Sequence, residues 1–190
     1  MIGKLLLLIV TLSGGVASTG RRPVSFQPGS QTSAQRPRFL GEFSNVKYTK
    51  AHAYGVTVEL WQTGGSVFGL FDFAEGLEGD TPTGLLENVE LDAGGGRISF
   101  KAKLSLGMHY CARHPKGILS RDLFEFSGRL TQDRLAGTLV HTDALHADQE
   151  HSSRKIALDR KTARPLPEPA SYQEWRRWAD AIVKRRGPRW

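Results

Sequence analysis

Two imidazoles and a thiol stand close together in the run His109-Tyr110-Cys111-Ala112-Arg113-His114. Imidazole and thiolate are the donors zinc prefers, and a thiol beside an imidazole is also the pair that activates a cysteine nucleophile. A structural zinc site, however, needs four ligands in recognisable pairs, and no second pair follows at a zinc-site spacing. His141, His146 and His151 recur every five residues. That period fits neither a helix nor a strand, so they read as surface histidines. The chain has no Gly-x-Ser-x-Gly elbow, no His-Glu-x-x-His pair and no glycine-rich loop opening a helix. Neighbouring carboxylates, Glu87 with Glu90 and Asp122 with Glu125, have no partner that the sequence sets across a cleft. These residues predict no catalytic residue, no metal and no cofactor. An enzyme or metal site built on His109, Cys111 and His114 is the alternative, and in it Cys111 would be unusually reactive near neutral pH.

Phenylalanines offer a different chemistry. Phe71, Phe73, Phe100, Phe124 and Phe126 fall on the apolar phase of strand-like runs, where they either pack a core or line an apolar pocket. They are the candidate ligand-binding residues.

The elements that hold them are short alternating runs. Ile98, Phe100, Ala102 and Leu104 oppose Ser99, Lys101 and Lys103; Phe124, Phe126, Gly128 and Leu130 oppose Glu125, Ser127 and Arg129. Alternate side chains of a strand face opposite ways, so each run has one dry and one wet face. Further strands are expected over 43–48, 54–62, 67–74, 84–91, 134–141 and 151–160, with loops at 75–83 and 143–149 and a longer excursion over 105–122. Short turns favour pairing of neighbours, and closing an eight-stranded meander removes its two exposed edges. The expected fold is all-β: an eight-stranded antiparallel up-and-down barrel, or alternatively a sandwich, with a C-terminal helix. In strand number and spacing over residues 39–161 the chain resembles the calycins, the lipocalin and avidin type of barrel. Gly41-Glu42-Phe43 stands where lipocalins open their first strand with Gly-x-Trp. The resemblance implies a barrel that encloses one small ligand and carries over no ligand identity.

The ends differ from the body. Lys4, the apolar Leu5 to Leu12 and the small residues Val16-Ala17-Ser18 form a secretory signal pattern over 1–18, which predicts export to the periplasm or beyond. Residues 19–38 read as a flexible linker, 39–161 as the barrel, and 162–190 as a proline-rich linker and helix. Ser171 and Glu174 have capping-box spacing, while Tyr172, Trp175, Trp178, Ala179, Ile182 and Val183 share one helical side. That side is expected to pack on the barrel wall. The single cysteine permits no internal disulfide, so the core alone must stabilise the fold.

The net charge of +7 divides into about +6 over residues 1–50, −5 over 51–149 and +6 over 150–190. Export makes nucleic acid an unsuitable partner for the basic ends and favours an anionic membrane or envelope surface. The expected function is therefore an exported, non-enzymatic barrel binding a small apolar or amphipathic ligand or a protein partner. The alternative is an envelope interaction module held by its basic ends.

Overall fold

The computed structural model describes residues 35–77, 81–92, 94, 96–146, 151–161 and 168–190. The expected secretory signal at 1–18, most of the expected 19–38 linker and most of the proline-rich run lie outside the described residues.

The chain runs β1 (Arg38–Ser44), β2 (Lys47–Tyr48), β3 (His52–Thr63), β4 (Ser66–Leu77), β5 (Thr83–Leu91), β6 (Arg97–Leu104), β7 (Met108–Cys111), β8 (His114–Leu119), β9 (Asp122–Leu130), β10 (Arg134–Asp143), β11 (Ser152–Arg160) and α1 (Tyr172–Arg186). Eight strands form the wall in the order β1, β3, β4, β5, β6, β9, β10, β11. Because β1 pairs with both β3 and β11, the sheet closes on itself. The result is an eight-stranded antiparallel up-and-down barrel, and the sandwich is set aside. The short β2 adds to β3, and β7 and β8 pair only with each other.

Three boundaries differ from expectation. The first strand begins at Arg38 instead of Phe43; a register shift between Phe39 and Gly41 breaks its alternation, which hides it in the sequence. The third long strand, β4, runs on to Leu77 because Glu75 and Gly76 still find ladder partners in Tyr54 and Ala53. The excursion over 105–122 is not a plain loop: despite Pro115 and Gly117 it contains the β7–β8 hairpin.

The barrel is filled from the inward phase of its strands. Ile98, Phe100, Ala102 and Leu104 are buried along β6, as are Phe71 and Phe73 on β4 and Phe124 and Phe126 on β9. Gly128 and Gly137 are cross-strand partners on β9 and β10, and a Cβ on either would come within 2.8 Å of Phe126 Cζ. Their missing side chains let that ring lie flat across both strands.

α1 covers the outside of β3, β4 and β5. Trp175 and Ala179 are buried against Trp61, Phe68 and Leu70, with Trp178, Ile182 and Val183 at the margin. The expected capping box is nearly realised: Ser171 Oγ accepts from the Glu174 N–H at 3.2 Å. Glu174 reaches one residue further than the motif predicts and accepts from the Ala170 N–H at 2.7 Å. Beyond the helix, Trp190 Nε1 donates to Leu104 O at 2.8 Å, fixing the last residue to the barrel.

The barrel ends are unlike. One carries the short β3–β4, β5–β6 and β9–β10 turns; the other carries the longer β4–β5, β6–β9 and β10–β11 connections.

Candidate functional site

All six histidines of the chain belong to the end with the longer connections. His52 opens β3, His109 and His114 lie on the hairpin, His141 is near the end of β10, His146 is in the turn after it, and His151 directly precedes β11. This rim is built in layers from the core outward.

The innermost layer continues the inward phase of β9 and β10. Leu135 and Leu139 point inward on β10, and the same phase carries on to His141 and Asp143, whose register partners are Phe124 and Asp122. The His141 ring stacks on Phe124, 4.6 Å between centroids and 10° from parallel. Its Nε2 meets Asp122 Oδ1 at 2.8 Å. Asp122 Oδ2 accepts from Ser120 Oγ at 2.5 Å and from the Leu106 N–H at 3.0 Å. Burial pushes the Asp122 carboxyl up, but the bonds from His141, Ser120 and Leu106 outweigh it and hold the group below its ordinary range. This buried carboxylate ties both legs of the hairpin to the wall.

The next layer holds three half-buried donors from separate elements. Asp143 Oδ1 accepts from the Leu145 N–H at 2.9 Å, which turns Oδ2 toward His146 Nδ1 at 2.8 Å. Here too burial raises the carboxyl, and the bonds from His146 and Leu145 leave it lowered overall. The His109 ring lies 4.6 Å from the His146 ring, tilted by 56°. His109, Asp143 and His146 each bring one donor atom within 4.8 Å of the others.

From the run His109, Cys111, His114 the fold draws His109 to Asp143 and His146. β7 directs His109 to His146 across the rim, while Cys111 and His114 are register partners flanking the hairpin tip. His141, His146 and His151, read as surface histidines, all have partners: Asp122, Asp143 and the Thr142 hydroxyl respectively. Carrying the β10 phase two steps past Leu139 would have placed His141 and Asp143 in the barrel mouth. The paired carboxylates stand apart. Asp122 faces inward, Glu125 pairs outside with Lys101 at 2.5 Å, and Glu87 lies 3.6 Å from Lys103.

The five phenylalanines gather as one interior cluster. Phe71 and Phe73 lie 5.1 and 4.9 Å from Phe124, and Phe100 stacks on Phe126 at 4.9 Å. Depressions of about 630 and 470 Å³ lie on the outer wall, among them Glu90, Ser99, Lys101, Ser127, Thr138 and Lys155. Compared with known proteins, the chain matches no family model, no curated protein and no solved structure.

Proposed function

We propose that the protein is an exported, non-enzymatic β-barrel that binds a protein partner through its long-connection end. One observation carries this reading: among the described residues, the exposed large apolar side chains are concentrated there, Tyr172 on α1 being the exception. Tyr48 and Tyr110 are 68% and 65% exposed, and Tyr54, Met108 and Leu119 join them from β3 and the hairpin. Aromatic residues and methionine are the types enriched where proteins meet. The interior rings contact one another, which is the arrangement of a packed core. Export rests on Lys4, Leu5 to Leu12 and Val16-Ala17-Ser18. The eight-stranded neighbour-paired wall supports a likeness to calycin barrels.

A photo-crosslinking residue in place of Tyr110, compared with one in place of Gln132 at the opposite end, tests the reading in the producing cell. A discrete protein adduct from position 110 alone is expected. A stoichiometric apolar molecule carried through purification, with no adduct from either position, would favour an interior ligand instead.

A second reading has one feature in its favour. The outward side of α1 carries exposed Arg176, Arg177, Lys184 and Arg185 while its apolar side is occupied by the wall. Attachment to an anionic surface through these groups would weaken steeply with salt. Vesicle binding unchanged between low and high ionic strength would end it.

A further inference from the structure

We propose that His109, Asp143 and His146 form a seat for one divalent transition-metal ion of the zinc class. Two imidazole nitrogens and a carboxylate oxygen are a donor set that such ions accept, and three protein ligands leave a coordination position for water or a partner's side chain. The donors come together from β7, the last residue of β10 and the turn that follows, so the cluster arises from the fold and not from sequence proximity.

The backbone holds two of the three in place. The Leu145 N–H fixes one oxygen of Asp143, the His146 N–H closes the turn on Asp143 O at 3.0 Å, and the Ala144 N–H anchors it to Arg121 O at 2.7 Å. The 2.8 Å between His146 Nδ1 and Asp143 Oδ2 is a hydrogen bond, and the pair would open by only about 0.5 Å to ligate a tetrahedral ion with bonds of about 2.0–2.1 Å. His109 has furthest to move: the three donors now lie within 4.8 Å of one another, and ligands on one ion stand about 3–3.5 Å apart. A half-buried side chain on an exposed hairpin can close that gap by a rotamer change.

The mechanical consequence is specific. Asp143 ends a wall strand, His146 lies in the turn that follows it and His109 belongs to the hairpin, so a bound ion would staple hairpin to rim. It would thereby hold Tyr110 and Met108, which flank His109, in one orientation. The seat lies on the same rim as the proposed partner surface but goes beyond that reading, because metal binding is measured on the isolated chain.

The test uses the full chain without a polyhistidine tag, stripped with chelator and titrated with Co²⁺, then displaced with Zn²⁺. One equivalent binding tighter than about 10 µM is expected, with the visible absorption of four- or five-coordinate cobalt. His109→Ala, Asp143→Asn and His146→Ala should each weaken binding by at least about tenfold, the scale on which lost metal-site contacts register. His52→Ala and His151→Ala, on the same rim, should leave it unchanged. Hydrogen exchange of residues 108–119 in the unaltered chain should slow when Zn²⁺ is added, a readout that needs no variant to fold. Absence of saturable binding, affinity that survives both His109→Ala and His146→Ala, or hairpin exchange indifferent to zinc would each overturn the proposal.

Discussion

Asp72 shows how one buried group sets a pH dependence. It lies on the outward phase of β4, where Thr83 Oγ1 donates to its Oδ1 at 2.6 Å. Burial pushes its carboxyl up to about 6 even though the Thr83 bond opposes the shift; Glu59 and Glu42 add to the rise and Arg186 subtracts from it. The folded value lies above the ordinary 3.8, so the folded chain holds this proton more tightly than the unfolded one. The stabilising contribution is complete below about pH 4 and is lost as pH rises through about 6. Asp72→Asn keeps an acceptor for Thr83 and removes the ionisation. It is expected to be more stable than the parent by about 1–3 kcal/mol at pH 8 and equal to it at pH 4, by denaturant unfolding. Parallel pH profiles for the two chains would contradict that account. On the inward phase the size of the effect follows burial: Phe100→Ala should cost about 3–5 kcal/mol through the cavity it leaves. Its neighbour Lys101, paired with Glu125 at the surface, should cost less than about 1 kcal/mol on replacement by Ala.

At the scale of elements, α1 is held to the wall by shape more than by polar bonds. Trp175 packs edge-on against Phe68 at 4.4 Å and is almost fully buried, yet its indole N–H has no hydrogen-bond partner among the described residues. Trp175→Ala should therefore cost about 3–5 kcal/mol and loosen the helix, exposing Trp61 and Leu70. Trp175→Phe should recover most of that loss, since it keeps an aromatic ring and gives up an N–H that bonds to nothing. If the phenylalanine variant were as unstable as the alanine one, the indole nitrogen would have a role that the packing does not explain. The helix was legible in the sequence because the local signals agreed: a serine cap with Glu174 at capping-box spacing, and a helical apolar stripe. The β7–β8 hairpin was not legible. Its residues carry Pro115 and Gly117 and bury little, and only the pairing of β7 with β8 defines it.

For the whole molecule, closure is what strand periodicity implies and cannot itself display. The wall strands were readable wherever one face is dry, as along β6. The histidine rim was not, because it forms between residues as distant as His109 and His146, and no local period records that meeting. The same holds for the seam that makes the barrel a barrel. β1 joins β3 through six register pairs but β11 through only two, Phe43 with Arg160 and Ser44 with Asp159. Arg160 reinforces this short ladder: its guanidinium donates to Leu40 O and Gln132 O and lies 5.1 Å over the Phe43 ring. Gly41, at φ +146°, leaves the space the guanidinium occupies, since a Cβ there would sit 2.7 Å from it. Arg160→Ala should cost about 1–3 kcal/mol from the lost charge-assisted bonds and the ring contact. It should also free the facing edges of β1 and β11, and unpaired edges recruit other chains. The expected readouts are a lowered unfolding midpoint and dimers or larger species on sizing. Arg154→Ala is the control: that guanidinium also lies over a ring, 5.3 Å from Phe73, but β11 is paired with β10 at its position. Should Arg160→Ala remain monomeric and no less stable than Arg154→Ala, the two-pair ladder would be closing the barrel without help from the arginine.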